Sequence, residues 1–354
     1  MMETYFICEA GQNHNGSMEI ARQLIDVAAM RVFDPLFDTP LGGANAIKFT
    51  KRDLNEELSA SQMARPYQSA HAFGATYGEH RAKLELDDEQ HAELFQYAKA
   101  KGLDFIETLC ARGCLSMFRL FVPDRLKVAS RDLTNLPLLE ALAETQIPII
   151  LSTGMADQRA LAEALAVITR HHNQISILHC LSQYPAEYPN INLRTITWLQ
   201  KEYPSHTIGY SDHSIGIMAP VAAVALGAQM IEKHITLDRT MKGSDHWGSL
   251  EPDGLRRVLR DIRNLERALG EEKMSLDPVV TATRTKLERS IASLRKIPAG
   301  TRLVAEDLHL LSPGDGFKWR DLHEVIGRMA AQDIPANEVI YPHMLQNTPL
   351  NGRI

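Results

Sequence analysis

Ile208-Gly209-Tyr210-Ser211-Asp212-His213-Ser214 and, further along, Met230-Ile231-Glu232-Lys233-His234-Ile235-Thr236-Leu237-Asp238 share one design. A short apolar run ends on a histidine and gives way to loop or helix. Each run reads as a buried parallel strand, and a helical pattern separates the two. Imidazoles at the C-terminal ends of neighbouring parallel strands can converge on one divalent metal, with coordination positions left open for a substrate oxygen. The plainer alternative is two polar residues satisfied at strand ends.

Working outward, the same alternation runs from the N-terminus to about residue 270. Strands are expected at Tyr5–Ala10, Ala46–Thr50, Asp104–Thr108, Arg125–Ala129, Pro148–Ser152, Ile175–Cys180, Thr207–Tyr210 and Gln229–His234. Helical periodicity lies between them at Met18–Val32, Asp87–Ala100, Leu136–Glu144, Gln158–Thr169, Ile191–Glu202 and Ile217–Leu226. Eight strands alternating with helices predict an α/β fold, a closed (β/α)8 TIM barrel. No G-x-G-x-x-G opens a helix after the first strand, which argues against dinucleotide binding. Asp53 to Leu84 is a long polar connection containing Pro66, Tyr67, Gly74 and His80, and reads as a lid over the barrel mouth. Phe33–Gly43 is a smaller insertion that reads equally well as surface ornament. Past residue 270 the pattern changes to short strands and tight turns, as in Ile297-Pro-Ala-Gly and Ile334-Pro-Ala-Asn. The expected organisation is a barrel over 1–276 and a small β-rich domain over 285–354.

Composition narrows the function classes. Of 354 residues, 44% are apolar and 23% charged, ordinary proportions for a globular enzyme. A net charge of -6 leaves no basic stripe for nucleic acid. No apolar run approaches the roughly 18 residues needed to span a bilayer, and no signal peptide is evident, so a cytoplasmic protein is expected. Cys8, Cys110, Cys114 and Cys180 lack zinc-knuckle spacing and read as reduced core residues.

Barrel enzymes carry their chemistry at the C-terminal strand ends. Those positions hold Glu9, Lys48, Thr108, Lys127, Ser130, Ser152, Ser182, Tyr184, Ser211, Asp212, His213, Glu232 and His234. Burying an unpaired ammonium costs several kcal/mol, so two lysines inside apolar strands point to an anionic ligand. Serine hydroxyls and the Gly154 turn beside them suit a phosphate or carboxylate. Glu9 adds a candidate base and the two histidines a candidate metal site. His14 can serve the site or cap its loop, Tyr184 can contact substrate or pack in a turn, and His171-His172 reads as a solvated helix end.

Taken together these residues resemble the sialic acid (N-acetylneuraminate) synthase family. The likeness runs through Ile7-Cys-Glu9-Ala-Gly-Gln-Asn13-His14-Asn-Gly16, Ala46-Ile-Lys48-Phe, Lys127-Val-Ala-Ser130, Leu151-Ser-Thr-Gly-Met155, Leu178-His-Cys-Leu-Ser-Gln-Tyr184-Pro185, Gly209-Tyr-Ser-Asp-His213 and Glu232-Lys-His234-Ile-Thr-Leu-Asp238. The tail resembles the antifreeze-like (SAF) domain of that family through Arg289-Ser290-Ile291, Pro313-Gly-Asp-Gly316 and Ile326-Gly-Arg328.

The resemblance implies a transferase that condenses phosphoenolpyruvate (PEP) with an aldose, giving a 3-deoxy-2-keto sugar acid and phosphate. It implies a divalent metal on His213 and His234, usually Mn2+, with Mg2+ or Co2+ as substitutes. PEP would be held by Lys48, Thr108, Lys127, Ser130, Ser152 and Ser211. Glu9 would activate water, and Tyr184 and Asp245 would contact the sugar. Ser182 and Ser312 fall at acceptor positions but depart from the family pattern. Members using N-acetylmannosamine tend to have asparagine at the first. At the second, Leu311-Ser312-Pro313 replaces an arginine-containing segment, and serine has no guanidinium fork. Strand three, Ile106-Glu-Thr108-Leu-Cys110, departs as well. The resemblance also implies a domain-swapped homodimer acting on small-molecule substrates. Two alternatives stay open on residues alone: a metal-dependent isomerase or lyase, and a non-catalytic sugar-phosphate-binding homologue.

Overall fold

The computed structural model describes residues 3–35 and 38–346. Eight parallel strands close into a barrel: β1 (Tyr5–Gly11), β2 (Ala46–Lys51), β3 (Asp104–Leu109), β4 (Arg125–Val128), β5 (Ile149–Ser152), β6 (Ile175–Cys180), β7 (Thr207–Asp212) and β8 (Met230–His234). Each pairs with its sequence neighbour, and β1 closes the ring against β8.

Strand pleating decides what faces the barrel interior, because side chains alternate between faces. One parity, including Phe6, Cys8, Ile47, Phe49, Phe105, Leu126, Val128, Ile149, Leu151, Ile177, Ile208 and Ile231, is buried against the surrounding helices. The other parity puts Ile7, Ala46, Ile106, Ile150, Leu178 and Met230 into an apolar cluster of their own. Two residues further along these strands, on the same face, stand Glu9, Lys48, Thr108, Ser152, Cys180 and Glu232. An apolar plug thus floors a polar layer at the C-terminal end.

Two expected helices are shorter than their periodicity suggests. Met18–Ala28, capped by Ser17, stops before Val32, and Val32–Asp34 instead pairs antiparallel with Thr39–Gly42. The chain passes close to itself here: a Cβ at Gly43 would meet Met30 O at 2.8 Å, so that corner favours glycine. Ile191–Glu202 divides into the single turn Tyr188–Ile191 and the helix Arg194–Glu202, because Asn192 adopts a left-handed conformation (φ 53°). His172, expected to be solvated, is buried and its Nδ1 accepts from Gln174 N.

The long connection after β2 contains three short helices, Leu54–Glu57, Ala60–Met63 and Tyr77–Ala82. Lys51 Nζ donates to Leu86 O (2.7 Å) and Arg52 pairs with Glu85 (3.1 Å), so its two ends are tied together. Its far part is pinned to the loops after β1 and β8. Arg81 donates to Gln12, Gly243 N donates to His71 Nδ1, and Lys242 lies over the Phe73 ring.

The chain divides into two compact units, Met1–Gly270 and Glu271–Ile354. In the second, Ser290–Ser293 pairs antiparallel with Leu308–Leu311, and single bridges join Ile297 to Ile334 and Arg302 to Met329. Ile291, Ile297, Leu303, Leu308, Val325, Ala330, Ile334 and Ile340 form its core. No helix among the described residues is long and apolar enough to cross a membrane.

One buried pair braces the two histidine-bearing strands. Lys233, outward-facing and fully buried, donates to Asp212 (2.6 Å) and to Ser214 O. Asp212 also accepts from Tyr210 OH (2.8 Å), Ser214 N (2.9 Å) and Ser214 OH (3.1 Å). Burial pulls the Lys233 ammonium down, and Asp212 opposes that pull. Removing one partner of such a pair strands the other charge. Lys233→Met is therefore expected to destabilise the protein by about 3–5 kcal/mol, and adding Asp212→Asn to recover part of the loss, as read by denaturant unfolding.

Candidate active site

The polar layer opens into a cavity of about 360 Å³ at the C-terminal end of the barrel. Every sequence-predicted site residue of the barrel lines it: Glu9, Lys48, Thr108, Lys127, Ser130, Ser152, Ser182, Tyr184, Ser211, His213, His234 and Asp245. Ser312 belongs to the second unit, where its hydroxyl donates to Leu287 O (2.9 Å).

Four buried charges dominate the floor. Lys48 pairs with Glu9, lies 3.6 Å from Glu232, and donates to Thr108 Oγ1 (3.1 Å). Lys127 lies 3.8 Å from Glu232 and donates to Val128 O (3.1 Å). Glu232 accepts from Ser211 (2.9 Å). Burial pushes the Glu232 carboxyl up, but Lys127 and Lys48 outweigh it and hold it down at about 2. Burial also pushes Glu9 up, Lys48 opposes it, Glu232 adds to it, and the carboxyl rests at about 7. Burial lowers Lys127. It acts the same way on Lys48, where Glu232 and Glu9 prevail and keep the ammonium above the ordinary lysine value. Two carboxylates in one layer are thus pushed apart, one locked as an anion and the other poised to exchange a proton near neutrality. Ser152 Oγ is buried in this layer with no hydrogen-bond partner.

The two histidines stand together with ring centroids 5.5 Å apart. His213 Nδ1 lies 2.8 Å from Leu181 O, a carbonyl that can only accept, so Nδ1 carries a proton and Nε2 is the nitrogen left for a metal. His234 Nδ1 is buried without a partner, and burial holds that imidazole in its neutral form. Two imidazoles side by side, each with a ring nitrogen not engaged by the protein, fit a divalent metal. A separate His/Glu cluster, Glu140, Glu144 and His171, sits on helix Leu136–Glu144 and the turn after helix Gln158–Ile168. It is partly exposed, away from the cavity, and already internally hydrogen-bonded, so it carries no weight as a centre.

Around the mouth, the Tyr184 ring packs against His213, centroids 4.0 Å apart and planes tilted by 34°. Burial pushes the Asp245 carboxyl up, but His234, the Ser244 hydroxyl and Arg81 together hold it below the ordinary value. His14 is buried with Nδ1 accepting from Gly16 N, so it caps its loop and does not line the cavity. Glu107 faces outward and bonds His91 of helix Asp88–Ala100 (2.6 Å), which makes that departure from the family pattern structural.

Sequence reasoning placed Glu232 at its strand end without assigning it a role, and gave none to several other lining residues: Gln12, Thr50, Arg52, Arg81, Arg131, Met155, Cys180 and Ser244. Glu232 and Cys180 share the inward parity of His234 and Ser211, a signal that was readable. The arginines arrive from loops and from the lid, where no periodicity points inward.

The NeuB family model matches residues 40–274 and the SAF domain model residues 288–346. The human N-acetylneuraminate-9-phosphate synthase is 34% identical across 97% of this chain and 93% of its own length. The N,N'-diacetyllegionaminic acid synthase of Legionella pneumophila is 31% identical across 96% of this chain and 94% of its own. A crystal structure of the sialic acid synthetase from Leptospira borgpetersenii superposes with a TM-score of 0.67 at 31% identity, covering 80% of this chain and 90% of that one. The chain belongs to the NeuB family, with a SAF domain following the barrel in sequence.

Proposed function

We propose that this enzyme condenses PEP with an aldose to give a nonulosonic-acid-type 3-deoxy-2-keto sugar acid and inorganic phosphate. The observation that carries the reading is the polar layer itself. It combines two lysines, hydroxyls from several strands and their following loops, one locked and one titratable carboxylate, and two neighbouring imidazoles. Relatives named as synthases of sialic and legionaminic acids support it. Those synthase names, and a silent pocket's lack of need for four buried charges, tell against an isomerase, a lyase or an idle binding protein.

Lys48, Lys127, Thr108, Ser130, Ser152 and Ser211 would bind the phosphate and carboxylate of PEP, and the unpartnered Ser152 hydroxyl gains a partner on binding. A divalent metal held by His213 and His234, manganese by family likeness, would supply Lewis-acid polarisation of the acceptor aldehyde. C3 of PEP forms the new bond to the aldehyde carbon as the carbonyl π pair passes to its oxygen, which takes up a proton to become a hydroxyl, and positive charge is left at C2. Glu9, near the pH at which carboxylate and acid are equally populated, takes a proton from the water that adds at C2. The resulting tetrahedral species breaks its C–O bond and expels phosphate, whose negative charge the lysines receive. Glu232 stays ionised throughout and balances those lysines. Tyr184, Ser182 and Asp245 would orient the sugar. The likeness further supports a domain-swapped homodimer, and four free, buried cysteines suit a cytoplasmic protein.

The decisive assay is Mn2+-dependent phosphate release from PEP with a panel of aldoses: N-acetylmannosamine, mannose, diacetamido hexoses and shorter aldehydes. Release with one acceptor, abolished by chelator and by His234→Ala, is the expected result. An enzyme that neither binds nor consumes PEP under these conditions would refute the reading. Glu9→Gln is expected to lower kcat by about 100-fold or more with the KM for PEP changed far less, since it removes the base and keeps the shape. Calorimetry should show Mn2+ binding in the wild type and its loss in both His213→Ala and His234→Ala.

A further inference from the structure

Two histidines hold the far part of the lid, and both use the same ring nitrogen. His80, buried on the lid helix Tyr77–Ala82, accepts at Nδ1 from Phe73 N (3.2 Å). Its ring lies among three others of the lid, with centroids 4.6 Å from Tyr67, 5.9 Å from Phe73 and 6.2 Å from Tyr77. His71, exposed on the same connection, accepts at Nδ1 from Gly243 N (3.2 Å) in the loop after β8. Between these two contacts, Lys242 Nζ lies over the Phe73 ring, 4.8 Å from its centroid. A backbone N–H can only donate, so both contacts need a lone pair on Nδ1. A proton at that atom abolishes either one.

The loop held in this way serves the cavity. Gly243 immediately precedes Ser244 and Asp245, which both line it. On the barrel side Asn15 donates to Lys242 O (2.9 Å), and a Cβ at Gly243 would meet the His246 ring at 2.6 Å. Barrel and lid thus grip the Asp245 loop from two sides. Charges around the lid grip favour unprotonated rings. Burial pulls His80 below the ordinary histidine value, Arg81, Arg52 and Lys242 pull the same way, and Asp245 opposes them. Tyr67 and Tyr77, also packed on His80, present their rings, and His71 faces His246. In a released lid a histidine returns to about 6.5. The held lid therefore binds fewer protons than the released one. Its grip is complete above about pH 6.5 and weakens as the pH falls below that value.

We propose that His71 and His80 are positioning residues, a clasp that fixes the β8 loop and its Asp245 while unprotonated and lets go in mild acid. The effect on turnover rests on the condensation proposed above; the clasp itself is a property of the free enzyme.

Hydrogen exchange on the free enzyme, corrected for the intrinsic pH dependence of exchange, reads the clasp without turnover. Protection over 67–80 and 240–246 is expected to fall together below about pH 6.5, by up to about tenfold per pH unit for each histidine, while helix Gln158–Ile168 stays protected. His71→Asn puts a non-titrating oxygen near the place of Nδ1 and should lower that slope by about one proton. His71→Ala, with no acceptor, should leave 240–246 poorly protected at every pH. In turnover, kcat/KM for the aldose in His71→Asn relative to wild type should rise by up to about tenfold per pH unit below about pH 6.5, because the Glu9 limb is common to both proteins and cancels. Protection that does not change with pH overturns the proposal, and so does a slope left unchanged by His71→Asn. Identical pH dependence of turnover in the two proteins would remove the positioning role. A clasp seen by exchange in an enzyme that forms no product from PEP and any aldose would sink the condensation and keep the clasp.

Discussion

Four charges buried in one layer of a closed barrel set the terms for the rest of the molecule. Lys48, Lys127, Glu9 and Glu232 have little water to solvate them, so each depends on the others. Glu232 sits between both lysines and is held as an anion. Glu9 has one lysine beside it and a second carboxylate nearby, and is pushed up toward neutrality. The difference between two identical functional groups arises from position alone. A polyanionic ligand entering this layer meets lysines already desolvated and hydroxyls already in place, so little reorganisation is needed at the moment of reaction.

Such a layer requires stiff walls. The outward parity of the strands packs against helices as one continuous core, and the apolar plug beneath the charges keeps water from entering from below. Lys233 and Asp212 lock the ends of β7 and β8 together from outside the barrel, immediately beside the two histidines. The histidines inherit their spacing from that lock and from the hydrogen bond of His213 to Leu181 O. The lid is anchored at both ends and pinned to the β1 and β8 loops, which brings Arg81 to the cavity.

Most of this was legible in the chain. The eight strands fall within two residues of where apolar runs predict them, because a strand buried on both faces is a continuous apolar run and few other segments resemble one. Polar residues ending those runs had no apolar explanation, so Glu9, Lys48, Lys127, His213 and His234 stood out. Boundaries failed where local conformation overrode periodicity. Asn192 broke a helix by turning left-handed, and the chain beyond Ala28 formed a hairpin although Val32 continued the helical pattern. Glu107 looked like a departure at the site and proved to be the outward partner of His91.

The sequence by itself determined the barrel, its polar strand ends and the residue types available for chemistry, since hydrophobic period and strand parity are properties of neighbouring residues. Tertiary structure alone decided which of those groups touch. That Glu232 rather than Glu9 balances both lysines depends on the stagger of strands closing into a ring. That Arg81 reaches the cavity facing Asp245, and that Arg52 and Arg131 share Glu57, depends on where a long connection folds back. Electrostatic roles follow distance through space, and distance along the chain carries no record of it.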